Sequence, residues 1–291
     1  MNSLITTLSL LRLFIERFKT IFAYFSLDMR VIAEDVYKSF GRKTALKGVR
    51  FDFEGKNLCL LGHNGSGKTT FLSIMTSLIS PTRGKVIVNG VIPYKDRDKA
   101  VSMMAFQFEK PKFNLKVKVK DYMRYLDECD DMGLLDDVKN EYISSLSSGQ
   151  TQMVQLLSVL CVKSEIKVLD EPLSHVDLAN ATKLGKVIMK DKADKVITTH
   201  IPEEAEWFGD YIVVLKEGEV RWKGTIDDLY REPIYEVFVR FNTTPPSGTI
   251  ADFGNILLVR GEEEEMESMV KKGIAIGFKK AGVRKIYMES D

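Results

Sequence analysis

Asn57-Leu58-Cys59-Leu60-Leu61-Gly62-His63-Asn64-Gly65-Ser66-Gly67-Lys68-Thr69 is the stretch that decides the fold. A short apolar strand runs straight into a glycine-rich loop of the form GxxxxGK[ST], and a helical pattern follows from Lys68 to about Leu78. Pro81 and Gly84 end the unit. In such a loop the glycines let backbone N–H groups curl around phosphate oxygens, and the N-terminus of the next helix adds positive potential. Lys68 is then placed to reach the β- and γ-phosphates of a nucleotide, and the Thr69 hydroxyl to hold Mg2+. Gly62, His63, Asn64, Gly65, Ser66, Gly67, Lys68, Thr69 and Thr70 together form the candidate phosphate cradle. A plain glycine turn is the alternative, but the strand before and the helix after are the context that a phosphate cradle requires.

Outward from this segment, short β-rich runs alternate with helical patterns from Arg30 onward, which predicts an α/β fold with a mainly parallel sheet core. Val31–Val36, Val49–Phe53 and Lys85–Val88 read as strands of an antiparallel β subdomain, the last turned by Asn89-Gly90. Asn114–Ser145 is rich in Asp, Glu and Lys at helical spacing and reads as a short helical subdomain. Ile166–Leu169 and Lys195–Thr199 are two further strands, and Tyr211–Leu215 with Glu219–Trp222 reads as a hairpin about Glu217-Gly218. The character changes near Tyr230. Strands at Tyr235–Phe241, Asn255–Val259 and Val283–Met288, with a helix from Glu262 to Lys272, predict a small α+β accessory domain over residues 231–291. The run Lys110–Lys120 alternates Lys with Val and reads as a solvated edge.

The chain has 291 residues, 44% hydrophobic and 29% charged, an ordinary globular composition with room for one large domain and a smaller one. Its net charge of +1 leaves no global electrostatic footprint for nucleic acid. Three scattered cysteines, Cys59, Cys129 and Cys161, argue against a disulfide framework or a zinc site and suit a reducing cytosol. Cys59 and Cys161 lie in apolar runs and read as small core residues. At the N-terminus, Leu4, Leu8, Leu11, Ile15, Phe18, Phe22 and Phe25 form one helical stripe. Charges between Arg12 and Lys19 interrupt the roughly 20 apolar residues that a membrane span needs. Two readings of residues 1–28 stand: a basic amphipathic helix lying on a membrane or a partner, or a leader that is not native, with translation starting at Met29.

A phosphate loop alone leaves kinases, GTPases and many ATPases open. An Asn-Lys-x-Asp guanine-reading motif is absent, which counts against a GTPase. The loop is followed by Gln107, by Leu146-Ser147-Ser148-Gly149-Gln150, by Ile166-Lys167-Val168-Leu169-Asp170-Glu171-Pro172, by Ser174-His175-Val176-Asp177, and by His200 at the end of a strand. In that order these elements resemble the ABC ATPase family over about Val31 to Leu229.

The resemblance implies a role for each position. Phe40 matches the aromatic that stacks on adenine, with a core phenylalanine as the structural alternative. Gln107 matches the residue that touches Mg2+ and the attacking water, Asp170 the Walker B carboxylate that supports the ion, and Glu171 the general base. The metal set is thus Thr69, Gln107 and Asp170. Adjacent carboxylates closing an apolar strand are costly without a nearby cation, which favours the functional reading. His200 matches the switch histidine that contacts the γ-phosphate, whereas His63 and His175 receive no chemical role of their own. Ser147, Gly149 and Gln150 match the signature loop, which in the family caps ATP bound by a second subunit, and a helix starting near Gln150 would add an anion-binding N-terminus. One chain carries one phosphate loop, so a dimer of cassettes is implied, homomeric or heteromeric.

Four departures from the family pattern stand out. Ser148 replaces the usual glycine, Lys167 interrupts the apolar Walker B strand and must snorkel or face solvent, His175-Val176 replaces Ala-Leu, and the helical subdomain is short. None removes a catalytic group. The expected protein is therefore an ATP-binding cassette over residues 29–230, using ATP and Mg2+, with no span of membrane length after Met29. It would power a separately encoded integral-membrane permease, exporter-type by its Glu203–Leu229 region, from the cytoplasmic face of the membrane. The other class, a soluble ABC ATPase acting on translation or DNA, usually carries tandem cassettes or a long inserted coiled coil, and neither feature is present.

Overall fold

Period-two burial builds the first sheet. In β1 (Met29–Phe40), Met29, Val31 and Ala33 are buried while Arg30 and Glu34 point outward. The phase slips at Asp35, whose φ of 47° accompanies a register shift before Val36 returns to the core. β1 pairs antiparallel with β2 (Lys43–Gly55) and β4 (Arg83–Val88), which gives the expected antiparallel subdomain in the order β2-β1-β4. The protein is described here by a computed structural model covering residues 28–107, 115–124, 126 and 133–288. The stripe of residues 1–27, part of the Lys110–Lys120 run and Cys129 lie outside the described residues.

The second sheet has no such alternation because both of its faces are covered. Its strands are β3 (Asn57–Leu61), β5 (Met104–Gln107), β6 (Ile166–Asp170), β7 (Asp194–Thr199), β8 (Tyr211–Lys216) and β9 (Glu219–Thr225), in the order β5-β6-β7-β3-β8-β9. All neighbours are parallel except β8 and β9, a hairpin turning on Glu217 and Gly218 with φ of 51° and 84°. On one face lies the antiparallel sheet with α1 (Lys68–Met75) wedged beneath it, where Phe71, Leu72 and Met75 meet Phe51, Leu58 and Val213. α2 (Arg97–Met103) leads directly into β5.

On the other face a second cluster joins α4 (Ser148–Cys161) and α5 (Leu178–Lys190) through Leu156, Leu157, Leu184 and Ile188. Among the described residues of the expected helical subdomain beneath them, Val119–Met123 form a helix, α3, residues 133–140 are turns, and Ile143–Ser145 is a 3-10 turn. Gly133 at a φ of 72° and the weak helix formers Asp136, Asp137 and Asn140 keep residues 133–140 from forming a helix.

Lys167 departs from expectation. It neither snorkels nor faces solvent but is buried, and its ammonium donates to the Val159 carbonyl at 3.0 Å and to that of Val162, both at the C-terminal end of α4. Lys195, its parallel neighbour, does the same for the Asp191 and Ala193 carbonyls beyond α5, each at 2.7 Å. Orphan carbonyls at helix ends accept such caps, which is how charged residues come to sit inside a parallel sheet. Cys59 is free and buried, as expected, and burial pushes its thiol up. Cys161, expected as a small core residue, is half-buried at the end of α4 and disulfide-bonded, against the expectation that the cysteines form no disulfide.

The C-terminal residues form a four-stranded antiparallel sheet, β11-β12-β10-β13, from β10 (Ile234–Val239), β11 (Thr249–Asp252), β12 (Ile256–Arg260) and β13 (Ala275–Lys280). α6 (Pro202–Phe208) and α7 (Ile226–Tyr230) precede it, and α8 (Glu263–Lys271) covers one face with Met266 against Val237 and Leu257. The last strand is not at Val283–Met288 but at Ala275–Lys280, and Arg284–Met288 is a helix, α9. Val283 and Ile286, three apart, point together into a cluster with Cys59, Leu61, Ala205 and Ile212, which is helical and not strand spacing.

Candidate functional site

Register brings the candidate residues together before any side chain is considered. Gln107 lies opposite Leu169, Asp170 opposite Thr198, and Thr199 opposite Leu61. The carboxyl ends of β5, β6, β7 and β3 therefore form one rim, where open parallel sheets characteristically bind ligands. Gly62 to Gly67 curve out of β3 over this rim. Gly67 has a φ of 110°, and a Cβ there would lie 2.7 Å from the Leu46 side chain and 2.8 Å from the Ala45 carbonyl, so only glycine fits. The hairpin turn braces the loop, the Gly218 amide donating to the Ser66 carbonyl at 2.9 Å.

Lys68, at the start of α1, is 4% exposed. Its ammonium donates to the carbonyls of Gly62 at 2.6 Å and His63 at 3.2 Å, and lies 3.1 Å from Glu171 Oε1. The other carboxylate oxygen of Glu171 is 2.6 Å from His200 Nδ1, so lysine, glutamate and histidine form one chain across the rim. Glu171 has a φ of 49°, a left-handed conformation that costs a non-glycine residue of the order of 1–3 kcal/mol. Its amide is held by the Thr198 hydroxyl at 3.0 Å. Beside it, Asp170 is fully buried and accepts from Thr198 Oγ1 at 2.5 Å and from Thr69 Oγ1 at 2.8 Å. Burial pushes the Asp170 carboxyl above its usual range, an effect the two hydroxyls oppose.

A cavity of about 430 Å³ opens over the loop, lined by Phe40, Asn64, Gly65, Thr70 and Glu171 among others. Phe40 is 51% exposed, so the reading as a core phenylalanine fails, and the Lys38 ammonium lies 5.0 Å from its ring centroid. Gln107 is 1% exposed, and neither of its side-chain polar atoms has a hydrogen-bond partner among the described residues. A buried amide with both ends unpaired is costly and calls for a ligand or water. Among the described residues no three His, Cys, Asp or Glu side chains cluster to hold a metal. A magnesium ion shared with phosphates needs only one or two carboxylates plus neutral oxygens, and Thr69 Oγ1, Asp170 Oδ2 and the unpartnered amide oxygen of Gln107 are of the type that would suit it.

Ser147, Gly149 and Gln150 do not line this cavity. Ser147 is the N-cap of α4 in a reciprocal capping box, its hydroxyl accepting from the Gln150 amide at 3.3 Å while the Gln150 side chain accepts from the Ser147 amide at 2.9 Å. The helix therefore starts at Ser148, two residues earlier than expected, and Ser148 occupies its first position exposed, in a conformation open to any residue. A Cβ on Gly149 would lie 2.5 Å from the His175 carbonyl, so this glycine permits close packing of α4 on residues 174–177.

Sequence reading missed Thr198, whose one hydroxyl braces both the Asp170 carboxylate and the Glu171 amide, and Gln152, which holds the Glu171 carbonyl at 2.8 Å. It also missed Lys43 and Ala45 in the cavity wall. A threonine in a strand and a glutamine in a helix carry no local signal of such partners.

Residues 46–174 match the family model described as ABC transporter. An uncharacterized ABC transporter ATP-binding protein of Methanocaldococcus jannaschii is 31% identical over 217 residues, spanning 71% of this chain and 81% of the relative. Among solved structures, cbiO1 of Clostridium perfringens, part of the ABC transporter complex cbiONQ, superposes with a TM-score of 0.57 at 20% identity, covering 70% of this chain and 91% of that one. A dimeric ATP-binding cassette in a post-hydrolysis state with ADP and Pi gives a TM-score of 0.56 at 23% identity over 67% of this chain and 98% of that one. At these identities the structural likeness establishes the fold.

Proposed function

This chain belongs to the ABC transporter family as an ATP-binding, ATP-hydrolysing subunit, and on that premise we propose how its site divides the work. Lys68 and the loop amides from Gly62 to Thr70 hold the phosphates. Glu171, whose carboxylate faces the rim between Lys68 and His200, accepts a proton from the attacking water, and His200 contacts the γ-phosphate. Thr69, Asp170 and Gln107 would hold Mg2+, which when bound neutralises charge on the transferring phosphoryl group. Phe40 offers its exposed ring to adenine.

Ser147, Gly149 and Gln150 then act on the nucleotide of a second cassette, head to tail with the first, because they lie away from this chain's own cavity. Residues 29–230 form the cassette and residues 231–291 an accessory domain. No helix among the described residues is long and apolar enough to cross a membrane. The relative's designation as a transporter ATP-binding protein supports a separate permease, exporter-type by the Glu203–Leu229 region, with this subunit on its cytoplasmic face. The observation that carries the site reading is the continuous Lys68–Glu171–His200 contact chain at the joint end of three parallel strands.

Purification of the tagged chain from solubilised membranes tests the assembly. The expected companions are an integral-membrane protein and a second cassette. Ribosomes or nucleic acid in their place would overturn the transport reading.

A further inference from the structure

Gln152 stands one turn into α4 and is 1% exposed. Its Nε2 donates to the carbonyls of Glu171 at 2.8 Å and Pro172 at 3.3 Å and to Ser174 Oγ at 3.0 Å, and its Oε1 lies 3.4 Å from the same hydroxyl. The turn it grips is the strained one, with Glu171 at a φ of 49° and His175 at 62°. The Glu171 amide is clamped from β7 by Thr198, and its carbonyl is clamped from α4 by Gln152. Both peptide groups flanking this residue are thus fixed by different elements, which leaves the carboxylate alone to meet Lys68 and His200. Gly149, one turn earlier on α4, packs against the His175 carbonyl, so the start of that helix touches the 171–175 turn at two points.

We propose that Gln152 is a positioning residue for hydrolysis, holding Glu171 in line from the same helix whose first turn carries Ser147 and Gly149. The inference rests on Glu171 as the base. Its consequence is that a shift of the α4 N-terminus, when Ser147 and Gly149 meet a nucleotide on a second cassette, is passed through Gln152 to the base of this chain's own site. Strain at Glu171 makes the hand-off effective, since a residue held away from its preferred backbone region relaxes when either clamp loosens. A buried glutamine also satisfies local carbonyls, and a purely structural role would affect folding and every activity alike.

Gln152→Met keeps length and volume while removing the donor. In the full chain it should lower kcat by about 10²-fold, the cost of misplacing a reacting group by a fraction of an ångström to an ångström. Affinity for a fluorescent ATP analogue should stay near wild type, and the melting temperature should fall by only a few degrees, because two carbonyls lose their donor. In a Glu171→Gln background, single-turnover hydrolysis should be no slower with Gln152→Met than without it, because the clamp then has no base to position. An unchanged kcat, or the same fold loss in both backgrounds, overturns the proposal. Should Gln152→Met not fold, Ser174→Ala weakens the same clamp, and a kcat loss at unchanged affinity, absent in the Glu171→Gln background, carries the test. Wild-type behaviour of Ser174→Ala would then overturn it. Wild-type turnover by Glu171→Gln alone would instead remove the base assignment, a separately readable outcome.

Discussion

Phe40 and Gly149 show how much a single position decides. The Phe40 ring stands exposed at the cavity, fixed by the end of β1 and the nearby Lys38. Stacking a base on an aromatic ring is worth roughly 1–3 kcal/mol, so Phe40→Ala should weaken ATP-analogue binding by about tenfold or more, and Phe40→Trp should preserve it. Equilibrium titration by fluorescence anisotropy checks this, and equal affinities for the alanine variant and wild type would take adenine off that ring. Gly149→Ala introduces a Cβ that would lie 2.5 Å from the His175 carbonyl. Turnover should fall while nucleotide affinity holds, since the displaced backbone borders Glu171 and not the phosphate loop. The candidate phosphate loop and the paired carboxylates are legible in the sequence because Gly62 to Thr69 and Asp170-Glu171 are contiguous motifs. Thr198 and Gln152 are not, because each reaches its partner across 28 and 19 residues of chain and looks ordinary in its own strand or helix.

At the scale of elements, α4 joins the Ser147–Gln150 turn to the turn holding Glu171 and is secured at both ends. Its N-terminus has the Ser147–Gln150 capping box, and Ser147→Ala should cost about 1 kcal/mol of stability, read as a lower urea midpoint. Its C-terminus rests on the buried ammonium of Lys167, whose pKa burial holds below the ordinary lysine value of 10.5. Lys195 beside it is lowered for the same reason. Between that depressed value and 10.5 the unfolded chain binds more protons than the folded one, so stability rises with pH across the window. Lys167→Met lacks this group, and wild type should therefore gain stability relative to it as pH is raised from neutral toward 10. Parallel urea melts of the two proteins measure the difference, and a gap that widens against wild type would contradict the lowered pKa and show the capping carbonyls outweighing burial. Strands bounded by turn residues, such as the hairpin at Glu217-Gly218, were legible from local chemistry. The closing strand was misplaced because Val283 and Ile286 take their conformation from packing on Ala205 and Leu61, a tertiary cause that periodicity does not record.

Over the whole molecule, the C-terminal residues grip the helix that follows His200. The Val283 amide and the Tyr230 hydroxyl both donate to Glu206 at 2.6 Å, Arg284 pairs with Glu203, and Lys285 donates to the Leu229 carbonyl at 2.6 Å. All nucleotide motifs nevertheless precede residue 230. A protein ending at Tyr230 should keep ATP-analogue affinity within about threefold of the full chain, as removal of a remote element from a preformed site implies. It should melt at lower temperature, because Cys59, Leu61 and Ala205 lose the cover of Val283 and Ile286. A large affinity loss in a protein that still folds would place a nucleotide contact in the C-terminal domain.

The division of labour between Lys68 and Glu171 is tested most directly by measuring ATP binding and steady-state ATP hydrolysis on the same preparation of Glu171→Gln. Affinity should match wild type while turnover drops by about 10²–10⁴, the worth of a positioned general base. Lys68→Ala should show the reverse emphasis, with weakened binding. A Glu171→Gln protein that hydrolyses ATP at the wild-type rate would contradict the account.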